Sequence, residues 1–358
     1  MSIVKREMFL KKDSFFKDFY EKLEKNILLF PFIKENVIIQ VFKKDDIENI
    51  YDEISFLDIS IQNFIQSSYS HFICFSYPNY DTKIYLASSS QTSFYKKDGI
   101  KILYYTLLLQ NVFQKKITQI IYYYPTPFKK VFPKKKITLS PKEINSGVTF
   151  LEPLHLHHHK NGTIILFRKE EYLKVLIHEL IHSFHLDYNI VKFGKKLESC
   201  ICSNYPVLLN EAYTESFATL IYIFLITFHK KMNIKKLRKN IQIEILYEYR
   251  LAAKILDYYN IQINDLHHFV KEKKCLKLFD QKTNVFSYYL LKPLLLGNID
   301  FYDNFMKKNL KNYILTKKGI KILENYILKT LLDTKSFYYN LLNTSKKHYS
   351  NSLKMVSF

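Results

Sequence analysis

Between Val175 and His182 the chain carries His178, Glu179 and His182 in a run whose other members, Val175, Leu176, Ile177, Leu180 and Ile181, are all apolar. Such a run is read as a largely buried helix. Three polar side chains taken into a core are costly unless something there satisfies them. Any fold this chain adopts must therefore bring a metal or polar partners to that helix. The length of 358 residues is enough to bury the core this requires.

On a helix, residues four apart share a face. His178 and His182 can thus present two imidazoles to one zinc ion, with Glu179 beside them as general base for the water. A second segment, Asn210-Glu211-Ala212-Tyr213-Thr214-Glu215, opens a further predicted helix 28 residues beyond His182. Catalytic zinc takes three protein ligands and keeps one position open, and two histidines with Glu211 satisfy that count. Glu215, one turn after Glu211, is placed to orient a ligand histidine through its second N–H. His185 is the rival third ligand, being three residues beyond His182. Glu211 is preferred, and Asp187 is read as a helix end.

The two motifs together resemble the thermolysin-like metallopeptidases, the gluzincins, whose pattern is H-E-x-x-H followed by N-E-A-x-x-D on the next helix. The resemblance covers about residues 145–218 and departs from the family in having Glu215 where Asp is usual. It implies a zincin-like α+β fold, with His178, His182 and Glu211 as ligands of one zinc ion, Glu179 as base and Glu215 as the supporting acid. An edge strand before the zinc helix would pair with extended peptide, and Asn145, Ser146 and Gly147 are its candidates, with Gly147 admitting close approach of substrate. The oxyanion donor would come from the C-terminal helices. Tyr288 or Tyr289 is the candidate, with His267-His268 as the rival. The surroundings (Pro127–Lys130, Asn145–Thr149, Arg168–Glu171) also resemble uncharacterised predicted metallopeptidases of large DNA viruses. The metzincin pattern fails at His185 and Tyr188.

A helical start is predicted for the first 60 residues, with Ser14 capping a segment that carries Phe16, Phe19 and Leu23, and Asp45-Asp46 opening another through Ile54. Short β-like runs follow: Lys83–Ala87, then Lys101–Leu109 and Ile117–Tyr124, the last two readable as helix as well. Ser146–Leu151 and Gly162–Arg168 read as a hairpin across a loop holding His155 and His157–His159, which is taken as solvated. Helices are expected over Glu170–Leu186, with acids in its first turn, and over Leu209–Phe228. A mainly helical remainder has breaks near Pro293, Gly297 and Gly319. The expected architecture is a β-containing N-terminal part and a helical C-terminal part with the site between them. It divides into residues 1–130, 131–230 and 231–358.

The net charge of +21 attracts anionic partners without specificity. The lysines are dispersed, and no nucleic-acid-binding motif accompanies them. A peptide or protein substrate is the expected partner. A basic nucleic-acid-binding or structural virion protein with a vestigial zinc site is the alternative. Cys74, Cys200, Cys202 and Cys275 form no disulfide framework. The charged N-terminus lacks a signal-peptide core, and Phe217–Phe228 is too short to span a bilayer. A location in the host cytoplasm or the virion follows as the expectation.

Overall fold

The computed structural model describes residues 14–27, 35–47, 54–90, 96–151, 162–187, 197, 205–272, 279–336, 338–339, 342 and 352–357. His155, His157–His159, Cys200, Cys202 and Cys275 lie outside the described residues. The protein is mixed α+β, and the chain forms two compact units. One comprises residues 23–131 and 141–186, the other residues 1–22, 132–140 and 187–358. This division does not follow the three consecutive segments expected from sequence: the chain leaves the first unit for residues 132–140 and again after Leu186.

The first unit is built on a six-stranded sheet in the order β1-β2-β3-β4-β6-β5. Its strands are β1 (Ile38–Lys43), β2 (His71–Ser76), β3 (Thr82–Ser88), β4 (Gln119–Tyr123), β5 (Gly147–Phe150) and β6 (Thr163–Leu166). Strands β1, β2 and β3 pair antiparallel, β3, β4 and β6 pair parallel, and β5 closes the far edge antiparallel to β6. Parallel neighbours need a crossover, and between β3 and β4 it is helix α3 (Lys96–Phe113).

That corrects the reading of Lys101–Leu109 as β-like. The run is buried along nearly its whole length, so no helical period shows. Strand β1 corrects the all-helical start. Its Ile38, Ile39 and Val41 are 41–47% exposed on an edge strand, so their apolar character does not mark a buried face.

Both faces of the sheet are covered. Helix α2 (Ile59–Ser68) sets Ile61 and Ile65 against Phe72, Ala87, Tyr122, Tyr124 and Ile165. On the opposite face, Gly99 of α3 lies against the Phe75 ring, where a β-carbon would meet it at 2.2 Å. Helix α4 (Tyr172–Ser183) joins α3 on this face, with Tyr172 stacked on Tyr123 at 5.0 Å.

The second unit is helical. Its helices are α5 (Leu209–His229), α6 (Ile234–Tyr258), α7 (Ile263–Glu272), α8 (Lys292–Gly297), α9 (Ile299–Asn309) and α10 (Lys317–Leu332). Helix α5 is largely apolar from Phe217 on and is buried along most of its length. Helix α1 (Phe15–Ile27) lies on it through Phe15, Phe16, Phe19 and Tyr20, whose rings meet Phe217, Phe224 and Phe228. As expected, Ser14 caps α1, its hydroxyl accepting from Lys17 N. Pro293 opens α8 instead of breaking a helix, because the first turn needs no N–H from it. A π-turn over Ser287–Leu291 leads directly into α8.

Candidate metal centre

Helix α4 enters from an unusual start. Glu171 precedes it in the left-handed region, at φ 60°, and its carboxylate meets Lys130 Nζ at 3.2 Å with both side chains buried. Glu170 accepts from Lys130 N. The two acids thus anchor the turn before the helix and do not occupy its first turn, where they were expected. The cause is a buried lysine forty residues away in sequence, which pairs more strongly than a helix dipole attracts.

Within α4 the H-E-x-x-H face is well formed. His178 and Glu179 are each 6% exposed. The Nε2 atoms of His178 and His182 face each other at 2.9 Å. Two nitrogens on one tetrahedral zinc at ordinary bond lengths sit ~3.3 Å apart, so a small opening of the pair admits the ion. The Glu179 carboxylate is braced by strand β5. Thr149 Oγ1 lies 2.7 Å from Glu179 Oε2 and 3.0 Å from the Glu179 carbonyl, and its single proton serves one of the two at a time.

Gly147 faces the other carboxylate oxygen. A β-carbon there would stand 3.0 Å from Glu179 Oε1 and 2.7 Å from Val175 Cγ1. The glycine therefore makes room for the Glu179 carboxylate and its helix. Strand β5 is an edge strand, as expected. The carbonyls just before it are engaged within the unit, Asn145 O by Arg168 Nε and Ser146 O by Phe167 N, both at 2.9 Å. The Ser146 hydroxyl is buried without a partner among the described residues.

His185 does not continue the helix. Its φ of 53° places it in the left-handed C-terminal turn, exposed, with its N–H bonded to His182 O. It has left the face that holds His178 and His182.

In the helical unit, Glu211 stands in the first turn of α5. Tyr288 OH donates to Glu211 Oε2 at 3.0 Å, and Asn284 Nδ2 donates to that same hydroxyl at 3.5 Å. Burial, and then the charge of Glu211, push the Tyr205 phenol up from its ordinary value. Asn210 donates to buried Asp187 at 3.2 Å. Tyr289, the other oxyanion candidate, is fully buried and donates to Leu353 O at 2.9 Å. The rival His268 pairs with Glu272 one turn on, at 2.9 Å on an exposed face.

Glu215 is buried and meets Lys292 Nζ at 3.4 Å. Lys292 also meets Glu248 Oε1 at 2.5 Å and Met355 O at 2.6 Å. Burial works against the lysine's charge, but Glu248, Glu215 and Glu244 more than offset it and hold the ammonium above its ordinary range. Glu248 is pushed up by burial, against the pull of Lys292 and with the help of Glu244. Sequence reasoning missed Thr149, Asn284 and Lys292. Only the last leaves a signal, as the one charge in the apolar stretch Val285–Gly297.

Among the described residues, His178, His182 and Glu211 are the group of ligand-type side chains that could hold a metal ion. No helix among the described residues is long and apolar enough to cross a membrane. No protein-family model and no solved structure matches the chain. The chain is similar to an uncharacterized protein of Acanthamoeba polyphaga mimivirus, 26% identical over 193 residues that cover 51% of this chain and 48% of that protein. It thus spans about half the length of the relative it matches, and that relative is viral.

Proposed function

We propose that this protein is a zinc-dependent metallopeptidase of gluzincin type, in which His178, His182 and Glu211 hold the metal and Glu179 is the general base. The observation that carries the reading is the face of α4: two Nε2 atoms converge at 2.9 Å beside a carboxylate held by a neighbouring strand. With Glu211 the donor set is His₂Glu, the set of a catalytic zinc that keeps one position open. Zinc bound there would supply Lewis acidity toward a peptide carbonyl and make water a nucleophile near neutral pH.

The chain's own groups account for the remaining tasks. Glu179 takes the proton of the attacking water and returns it to the leaving amine. Thr149 and the space at Gly147 hold that carboxylate in one rotamer. Tyr288 gives its one proton to Glu211 Oε2, and only by turning from that carboxylate would its hydroxyl be the candidate to donate to the developing oxyanion. Strand β5, at the edge of its sheet, is the candidate to pair with extended peptide from Gly147 onward, since the carbonyls of Asn145 and Ser146, also candidates from the sequence, are already bonded.

The test is zinc stoichiometry by elemental analysis after loosely held metal has been removed, followed by cleavage of a mixed peptide library. One zinc per chain, lost in Glu211→Ala and kept in Glu179→Gln, is the expected pattern, with library cleavage in the wild type alone. Absence of tight zinc from the wild type would sink the peptidase reading. The charge of +21 would then bring forward a basic nucleic-acid-binding or structural virion protein with a vestigial site.

A further inference from the structure

The carbonyls of residues 352–355 are held by side chains. The four accept from Lys254 Nζ (3.2 Å), Tyr289 OH (2.9 Å), Tyr247 OH (2.8 Å) and Lys292 Nζ (2.6 Å) in turn. Two residues on, Ser357 gives both its N–H and its hydroxyl to Glu244 Oε2, at 2.9 and 2.6 Å. Leu353, Met355 and Val356 are buried. Of the five donor and acceptor side chains, three are on α6, one is on the π-turn and one, Lys292, is at the head of α8.

Lys292 is the member that reaches furthest. The ammonium hydrogen-bonds Met355 O and Glu215 Oε1 and forms an ion pair with Glu248 Oε1. All three groups are buried. Removing the lysine would leave Glu215 and Glu248 buried without their cation, a costly outcome. Lys292 engages Glu215 through Oε1.

We propose that Lys292 is a positioning residue of the metal centre, set in place by the clasped segment 352–357 and acting through Glu215. The inference rests on the assignment of Glu211 as a ligand, since Glu215 shares its helix face one turn on. Lys292 touches neither metal nor substrate. Its effect is to fix the rotamer and charge of a carboxylate that orients a ligand, and such supports are typically worth about 10- to 100-fold in metal affinity.

The experiment compares zinc affinity, by competition with a chromogenic chelator, in the full chain and in Lys292→Met, Lys292→Arg and Tyr289→Phe. The visible spectrum of the cobalt-substituted proteins is recorded beside it. Lys292→Met is expected to keep one zinc site, weaken it about 10- to 100-fold and shift the cobalt bands, with partial recovery in Lys292→Arg. A change confined to stability would move neither spectrum nor affinity. A folded Lys292→Met with wild-type affinity and spectrum would overturn the proposal.

Should Lys292→Met fail to fold, Tyr289→Phe decides. It removes one hydroxyl from the clasp and should speed amide exchange at 353–356 while weakening zinc. Faster exchange with unchanged zinc affinity overturns the coupling. A wild type without zinc is a different result, which removes the peptidase reading and this inference together.

Discussion

A β-carbon at position 147 would lie 2.7 Å from Val175 Cγ1 and 3.0 Å from Glu179 Oε1. The first contact is too close for either atom to keep its place. Gly147→Ala is therefore expected to destabilise the protein by about 1–3 kcal/mol, the usual range for overpacking, as read from the urea midpoint. It should also displace the base, so that any peptidase activity falls further than folded protein content does. Equal losses of the two would contradict the role given to Gly147. In the helical unit, Tyr288→Phe removes the hydroxyl that holds Glu211 Oε2, and on the proposed ligand set about a tenfold or greater loss of metal affinity is expected on elemental analysis or chelator competition. That His178 and His182 face each other was legible because a helix repeats its face about every four residues, whereas Glu211, on another helix, was picked out by its motif and not by spacing. Thr149, Asn284 and Lys292 were not legible, since each reaches its partner from another element and no spacing encodes that meeting.

Among the elements, helix α2 and the turn at Asp46 show two acids that cap; residues 48–53 of the helix read from Asp45-Asp46 lie outside the described residues. The cap of α2 is Asp58, whose carboxylate accepts from Ser60 N at 3.0 Å. Asp46, in the pair read as opening a helix, accepts from Lys43 N and closes one turn of 3₁₀ helix. Both sites have the acid a cap requires, and only the apolar face of Ile61 and Ile65 distinguishes the longer helix. Asp58→Ala is expected to cost about 1 kcal/mol of stability, measured by urea unfolding at neutral pH. The Ser60 hydroxyl holds the Asp58 carboxyl below its ordinary value, against a partial opposing effect of burial, with Ser60 N and Lys142 assisting. A lowered folded-state value means that the cap's contribution is full above the unfolded carboxyl's titration. It is lost as pH falls through the lowered one. The difference between wild type and Asp58→Ala should therefore shrink as the solution is acidified below about pH 4. A constant difference across that range would show that the charge plays no part.

At the scale of the whole molecule, the α+β class was legible and the division of the chain was not. Pro125, Pro127 and Pro133 suggest a passage between regions, and the chain does change units at Phe132. It returns at Pro141 because residues 132–140 are held by distant partners: Phe132 under Lys254 and against Tyr258, Leu139 O by Lys282 N. Long-range pairings of that kind have no periodicity from which to read them. The net charge belongs to this scale as well, being spread along the sequence and independent of the metal ligands. Binding to a DNA oligomer, followed by fluorescence anisotropy, is expected to weaken steeply with salt and to be the same in Glu211→Ala as in the wild type. A loss of DNA binding in that variant would tie the charge to the site and contradict their separation.

The broken path of the chain also sets an order in time. A ribosome finishes the sheet-bearing unit at Leu186, with β5, β6 and the two facing imidazoles already made, while residues 132–140 wait for partners not yet synthesised. The carboxylate of Glu211 emerges next, and the segment that sets Lys292 emerges after everything it fastens. On the ligand set proposed here, a nascent chain would first offer a metal two nitrogens, then a third ligand, and only at the end the support that fixes them. On that ligand set, tight metal loading would thus be deferred until the helical unit is complete.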